Sequence, residues 1–95
     1  LLEISSGHVD AAFNIAAVLF EQKKYDEALK LFDGLIMRDE NFYRGYYGRG
    51  RCYEAKGEKK KAIDDYKHCL ALKPDYGLAA MQLDIIEKRV RKKIS

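Results

Sequence analysis

Residues 9–42, written above residues 43–76, match at an offset of 34. Ile15 falls over Arg49, Ala16 over Gly50, Leu19 over Tyr53 and Lys23 over Gly57. Ala28 falls over Ala62, Phe32 over Tyr66, Leu35 over Cys69 and Glu40 over Pro74. Most of these pairs agree in size or character. A fixed period of this length marks an array of one supersecondary unit, in which neighbouring units bury faces that a single unit cannot bury alone.

Within each unit the apolar spacing is helical. Ala12, Ile15, Ala16 and Leu19 recur at three and four residues. Lys23-Lys24-Tyr25 interrupts, and Ala28, Leu31, Phe32 and Leu35 form a second stripe. The second unit repeats this with Tyr46, Gly50 and Tyr53, a break at Gly57, then Ala62, Ile63, Tyr66 and Leu70. The spacing predicts helices at about 9–22, 25–38, 43–56, 59–72 and 76–93, joined by short turns. Asp10 is expected in the first turn of the first helix, where the macrodipole favours a carboxylate. Gly57 frees the backbone at its turn. Pro74 ends the fourth helix, because it lacks an amide hydrogen and disfavours helical geometry at Lys73. Strand signals are absent, so the expected fold is all-α, with antiparallel helix pairs stacked as a short solenoid.

The residues now carry a family resemblance. The tetratricopeptide repeat runs, in outline, W-x2-L-G-x2-Y, then A-x3-F, then P. Tyr46, Arg49, Gly50, Tyr53, Ala62, Tyr66 and Pro74 stand in those slots, as do Ala12, Ile15, Ala16, Leu19, Ala28, Phe32 and Glu40. The chain therefore resembles that family over residues 9–76. On this reading residues 1–8 are a lead-in or the end of an earlier helix, 9–42 and 43–76 are two repeats, and 77–95 are a capping helix with a basic tail. Small residues at Ala16, Gly50, Ala28 and Ala62 let paired helices approach. Large residues at Leu19, Tyr53, Phe32 and Tyr66 fill the space between them.

Two departures matter. Arg49 occupies a slot that is often Leu; its stem can pack while its guanidinium reaches outward, and a pairing with Asp64 or Asp65 is expected. About three repeats are usually needed for stability, so either the last helix suffices as a cap or the natural protein continues beyond these ends.

The resemblance implies a protein-binding scaffold or adaptor that holds a peptide or partner helix on its concave face. That face is lined by the first helix of each pair. The implied partner-binding residues are Phe13 and Asn14, then Arg44, Tyr47 and Arg51, then Leu78, Met81, Gln82 and Ile85 on the last helix. Phe13 and Tyr47 offer aromatic anchors, and the two arginines offer bidentate donors to carboxylates. Asp10, Ala17, Glu21, Gly48 and Glu54 are expected on the same face. Leu78, Met81 and Ile85 form a strip separate from the packing stripe Leu83, Ile86, Val90 and Ile94; the strip lines the groove, or touches a missing repeat or another copy. A carboxylate clamp for chaperone tails needs Lys and Asn on the first helix, Asn on the third, and Lys with Arg on the fifth. Phe13, Ala17, Gly48, Leu78 and Gln82 stand there instead, so that co-chaperone subset is not expected.

Composition bounds the alternatives. Residues 1–75 carry 13 basic and 13 acidic side chains, so the net charge of +3 resides in the C-terminal stretch with Lys88, Arg89, Arg91, Lys92 and Lys93. Contact of that basic helix with RNA or single-stranded nucleic acid is an alternative, opposed by the neutral body. Self-association, or packing within a longer array, is another. Cys52, Cys69, His8 and His68 have no zinc-ligand spacing, and no nucleophile or phosphate-loop motif is present. Gly45, Gly48 and Gly50 follow no strand and so make no dinucleotide loop. The expectation is a non-enzyme with no cofactor and no metal. Buried, reduced cysteines and no apolar run of membrane-spanning length point to a cytoplasmic or nuclear setting.

Overall fold

The computed structural model describes the backbone of residues 2–94 and the side chains of residues 9–89. Five helices account for the ordered elements among them: α1 (Leu2–Glu21), α2 (Tyr25–Arg38), α3 (Tyr43–Ala55), α4 (Lys59–Leu72) and α5 (Gly77–Ile94). Each helix packs on its neighbours in sequence, and α1 also touches α3 across the pair. The result is an all-α solenoid of two antiparallel pairs and a fifth helix. No helix of the described residues is long and apolar enough to cross a membrane.

The turns repeat as the sequence does. Lys23 and Gly57, at the offset of 34, both have positive φ, 65° and 83°. Behind them the Lys24 and Glu58 amides donate to the carbonyls of Leu19 and Tyr53, at 2.8 and 2.9 Å. This left-handed cap satisfies carbonyls the helix end leaves open. The turns between pairs also correspond. The Asp39 and Lys73 amides close on Leu35 and Cys69, and the Phe42 and Tyr76 amides close on Asp39 and Lys73.

The core has two adjoining parts. Ala16, Ala28, Phe32, Leu35 and Cys52 are buried where α1, α2 and α3 meet. Ile36, Tyr46, Ala62, Tyr66, Cys69, Ala79 and Ile86 are buried where the stack continues to α5. Close helix approach needs glycine at two points. A Cβ on Gly48 would lie 2.4 Å from the Phe32 ring, and one on Gly50 would lie 2.7 Å from Tyr66. The expected pairing of Arg49 is made with Asp65, and Asp33 of α2 joins it at 3.0 Å. Asp65 is 5% exposed, a buried charge tolerated because it is matched.

Three expectations are corrected. The first helix begins at Leu2, not near residue 9, because no proline interrupts residues 2–8 and Gly7 alone does not stop a helix. Asp10 therefore lies inside α1 and not in its first turn; its carboxylate is 3.7 Å from Arg44. Ile15, placed in the packing stripe, is 54% exposed. Its slot points along the stack axis, away from α2. The equivalent Arg49 meets α2 there, but α1 has no described helix on that side. The side chains of Val90, Ile94, Arg91, Lys92 and Lys93 lie outside the described residues, so the end of the α5 packing stripe and the basic tail do too.

Candidate functional site

The first helices of the pairs, α1 and α3, run side by side and leave a cavity of about 180 Å³ between them. Phe13, Ala17, Phe20 and Glu21 of α1 form one wall, and Tyr47, Gly48 and Arg51 of α3 form the other. Phe32, from α2 behind, is the floor. The cavity exists because two positions are small. Ala17 and Gly48 face each other where longer side chains would close it, and the bare Gly48 lets the Phe32 ring edge come forward.

Aromatic packing holds the walls. Phe13 meets Phe32 and Phe42 edge-on, with centroids at 5.8 and 5.9 Å. Tyr47 packs on Tyr66 and Tyr76 at 6.0 and 5.5 Å. Such pairs contribute about 0.5–1.5 kcal/mol each beyond area burial, which keeps the cavity shaped when empty. The Arg51 guanidinium lies 5.2 Å from the centre of the Phe20 ring and donates from Nη1 to the Tyr47 hydroxyl at 3.1 Å. Burial works against its charge, but the Tyr47 hydroxyl and the nearby Glu54 outweigh burial and raise its pKa further. Arg51 forms no ion pair with a carboxylate among the described residues. It thus presents a fixed cation with N–H groups to spare at the edge of an apolar hole.

Past Arg51 a second cavity, about 310 Å³, opens toward α5 and is lined by Phe20, Tyr25, Arg51, Glu54, Ala55 and Arg89. Glu54 is the tie across this end. Its Oε1 accepts from the Tyr66 hydroxyl at 2.7 Å and from Gln82 Nε2 at 3.0 Å, joining α3, α4 and α5. Burial, together with that bond, raises the Tyr66 pKa, so the hydroxyl stays a donor.

The structure brings together Phe13, Tyr47 and Arg51 of the residues expected to bind. Arg44 sits on the same side but is already engaged: it lies over the Phe13 and Phe42 rings, at 5.1 and 5.3 Å. Asn14 is exposed and lines no described cavity. Leu78 and Met81 are 49% and 53% exposed, while Ile85 is half-buried. Gln82 is held by Glu54. Sequence reasoning passed over Phe20 and Phe32 as lining residues, and Arg89 as a wall of the second cavity. Phe20 could have been found, since it lies seven residues beyond Phe13 and so on the same helical face.

Two family models described as tetratricopeptide repeat match the chain, over residues 4–42 and 43–76. Among curated proteins it is similar to small glutamine-rich tetratricopeptide repeat-containing protein 2 of Saccharomyces cerevisiae. The two are 34% identical over 71 residues, which is 75% of this chain and 20% of that protein. Hsp70-Hsp90 organizing protein 3 of Arabidopsis thaliana is 33% identical over 57 residues, 60% of this chain and 10% of that protein. Low calcium response locus protein H of Yersinia pestis is 32% identical over 68 residues, 72% of this chain and 40% of that protein. The chain thus spans 40% or less of the length of these relatives. In fold it is similar to the Yersinia enterocolitica type III secretion translocator chaperone SycD, with a TM-score of 0.84 and 24% identity over 92% of this chain and 66% of that one. MamA from Desulfovibrio magneticus RS-1 gives 0.81 and 23%, over 95% and 51%. With the repeat matched twice, end to end, over residues 4–76, this chain belongs to the tetratricopeptide repeat family.

Proposed function

We propose that the chain is a protein-interaction module, and that it holds a segment of another protein in the groove between α1 and α3. One observation carries the reading: a preformed apolar cavity, floored by Phe32, with the Arg51 cation at its rim. An aliphatic or aromatic side chain of the partner fills the cavity. Arg51 donates to a carboxylate or carbonyl beside it, and Phe13 and Tyr47 supply the contact area. The family supports a binding role. So do relatives named as an organizing protein for two chaperones and as a translocator chaperone. On this reading the chain performs no catalysis. One filled cavity and one charged contact correspond to a modest affinity, roughly micromolar, or about −8 kcal/mol.

The test is capture of partners from nuclease-treated lysate by the parent domain and by two variants. Ala17→Leu fills the cavity without removing core, and Arg51→Ala removes the cation. A protein captured by the parent and lost with both variants, at unchanged melting temperature, supports the groove. Equal capture by all three moves the binding site elsewhere on the molecule.

A further inference from the structure

The two cavities of the groove share Arg51, so the hole between α1 and α3 opens past it into the wider space toward α5. The size and walls of the first cavity fit a ring. An apolar cavity of about 150 Å³ is large enough to admit benzene, and this one is about 180 Å³. Phe13 and Phe20 stand on one side of it, Tyr47 on the other and Phe32 beneath. A ring that enters meets rings on three sides, and such contacts add to the gain from area burial alone. The small Ala17 and Gly48 leave the room for it.

The charges are divided unevenly between the two cavities. Glu21 and Arg51 line the first and cancel. Arg51, Arg89 and Glu54 line the second, two cations against one anion, which leaves one positive charge in excess. Glu54 is already engaged, since its Oε1 accepts from Tyr66 and Gln82. Farther along α1, Asp10 is answered by Arg44 at 3.7 Å. Neither Arg51 nor Arg89 forms an ion pair among the described residues. Arg51 gives one N–H to the Tyr47 hydroxyl and keeps the others. Arg89 is exposed and borders the same space from α5. Two guanidinium groups on one space match a carboxylate, and they repel a cationic side chain.

We propose that the groove selects a partner segment in which an aromatic residue stands beside an acidic one: the ring fills the first cavity, and the side-chain carboxylate seats in the second, between Arg51 and Arg89. The proposal rests on the groove reading above and names the class of partner that the groove takes. The acid is a side chain and not a chain end, because the second cavity is the larger, about 310 Å³, with room for backbone as well as a carboxylate.

The test is titration of the isotope-labelled whole chain, followed by amide chemical shifts, with three probes of one shape: phenylpropionate, its amide and the matching amine. Probes of this size bind with dissociation constants on the order of 1–10 mM. Phenylpropionate is expected to shift the amides of Ala17, Gly48 and Arg51. It should bind about 3–5-fold more tightly than its amide, with the amine weakest. Ala17→Leu is expected to abolish the shifts with all three. Arg89→Gln should erase the preference for the acid. Lys88→Gln makes the same change in net charge outside both cavities and should keep that preference. Peptides then fix the source of the carboxylate. Side chains two residues apart in an extended segment share a face. A peptide blocked at both ends, with Phe and Glu at that spacing, should bind more tightly than its Gln counterpart. It should also bind more tightly than a peptide ending in Phe with a free carboxylate.

Equal binding of acid and amide at the groove overturns the acidic partner and leaves the groove reading in place. Loss of the preference in Lys88→Gln as well makes it an effect of net charge and overturns the seat at Arg89. Tighter binding of the free-ended peptide overturns the side chain as the source. If no probe moves the groove amides up to about 30 mM, the proposal falls. Lysate capture with Ala17→Leu and Arg51→Ala then decides the groove reading separately.

Discussion

The Arg49 guanidinium meets the Asp65 carboxylate end-on through two hydrogen bonds, Nε to Oδ2 at 2.9 Å and Nη2 to Oδ1 at 2.8 Å. A third bond from Nη1 reaches Asp33 at 3.0 Å, so one side chain of α3 clasps the second helices of both repeats. The bond to Asp65, more than any other influence, holds the Arg49 pKa well above its ordinary value. Arg49→Leu strands a buried carboxylate and is expected to cost about 2–4 kcal/mol. Arg49→Leu/Asp65→Leu removes both charges and should return to within about 1 kcal/mol of the parent. Urea midpoints of the three proteins check this. Unchanged stability in Arg49→Leu alone would deny the pair its role.

Two glycines should respond with opposite sign. Gly48→Ala drives a methyl into the Phe32 ring and is expected to destabilise by about 1–3 kcal/mol while shrinking the groove cavity. Gly34, in the interior of α2, has open space where a methyl would stand, with nothing within 4 Å. Gly34→Ala should therefore stabilise by about 0.5–1 kcal/mol. Thermal unfolding of the pair decides it; a shift of the same sign in both would count against the close approach at Gly48.

Lys23 holds the left-handed backbone that Gly57 holds one repeat later. A side chain meets a steric penalty there that glycine does not. Lys23→Gly is expected to stabilise the chain by about 0.5–1 kcal/mol, net of the greater entropy glycine loses on folding. Chemical denaturation at neutral pH is the check, with Gly57→Lys as the reciprocal change, expected to destabilise.

Alkaline pH should loosen the fold. Burial pushes the Cys52 thiol up to about 11 from an ordinary 9.0, and burial does the same to Cys69. Both groups sit in the core as neutral thiols. The folded state therefore holds protons that the unfolded chain releases, and stability falls as pH rises from about 9 toward 11. The Tyr66 hydroxyl, raised by burial and its bond to Glu54, adds in the same direction. Each thiol contributes on the order of 2 kcal/mol across that window. Urea midpoints at pH 8 and pH 10.5 test this, and a flat profile would contradict it.

Much of the fold was legible because the information was local or repeated. The bounds of α2 and α4 followed from turn residues and apolar spacing, and the pairing of Arg49 followed from its odd slot between helices rich in aspartate. Phe13, Tyr47 and Arg51 were named because the resemblance places the first helix of each pair on the concave face, and all three line the cavity there. Phe32 as the cavity floor was not legible. Its slot reads as core, and only the missing side chain at Gly48 exposes its edge to the groove. Gln82 was named for the partner face, and the structure adds that its amide donates to Glu54, on another helix. Ile15 read as core because its spacing matched, but spacing cannot say whether a helix lies on the far side.

The sequence by itself determined the repeat, the helix pairs, the turn at Gly57 and that Arg49 would pair with an aspartate of α4. These depend on period, local backbone preference and residues whose partners lie at a fixed offset. Only the tertiary structure decided where the groove is hollow, which arginine keeps donors to spare, and that Ile15 and Val18 stand in water. Those features arise from distances between helices far apart in the chain, and residue order carries no measure of such distances until the helices pack.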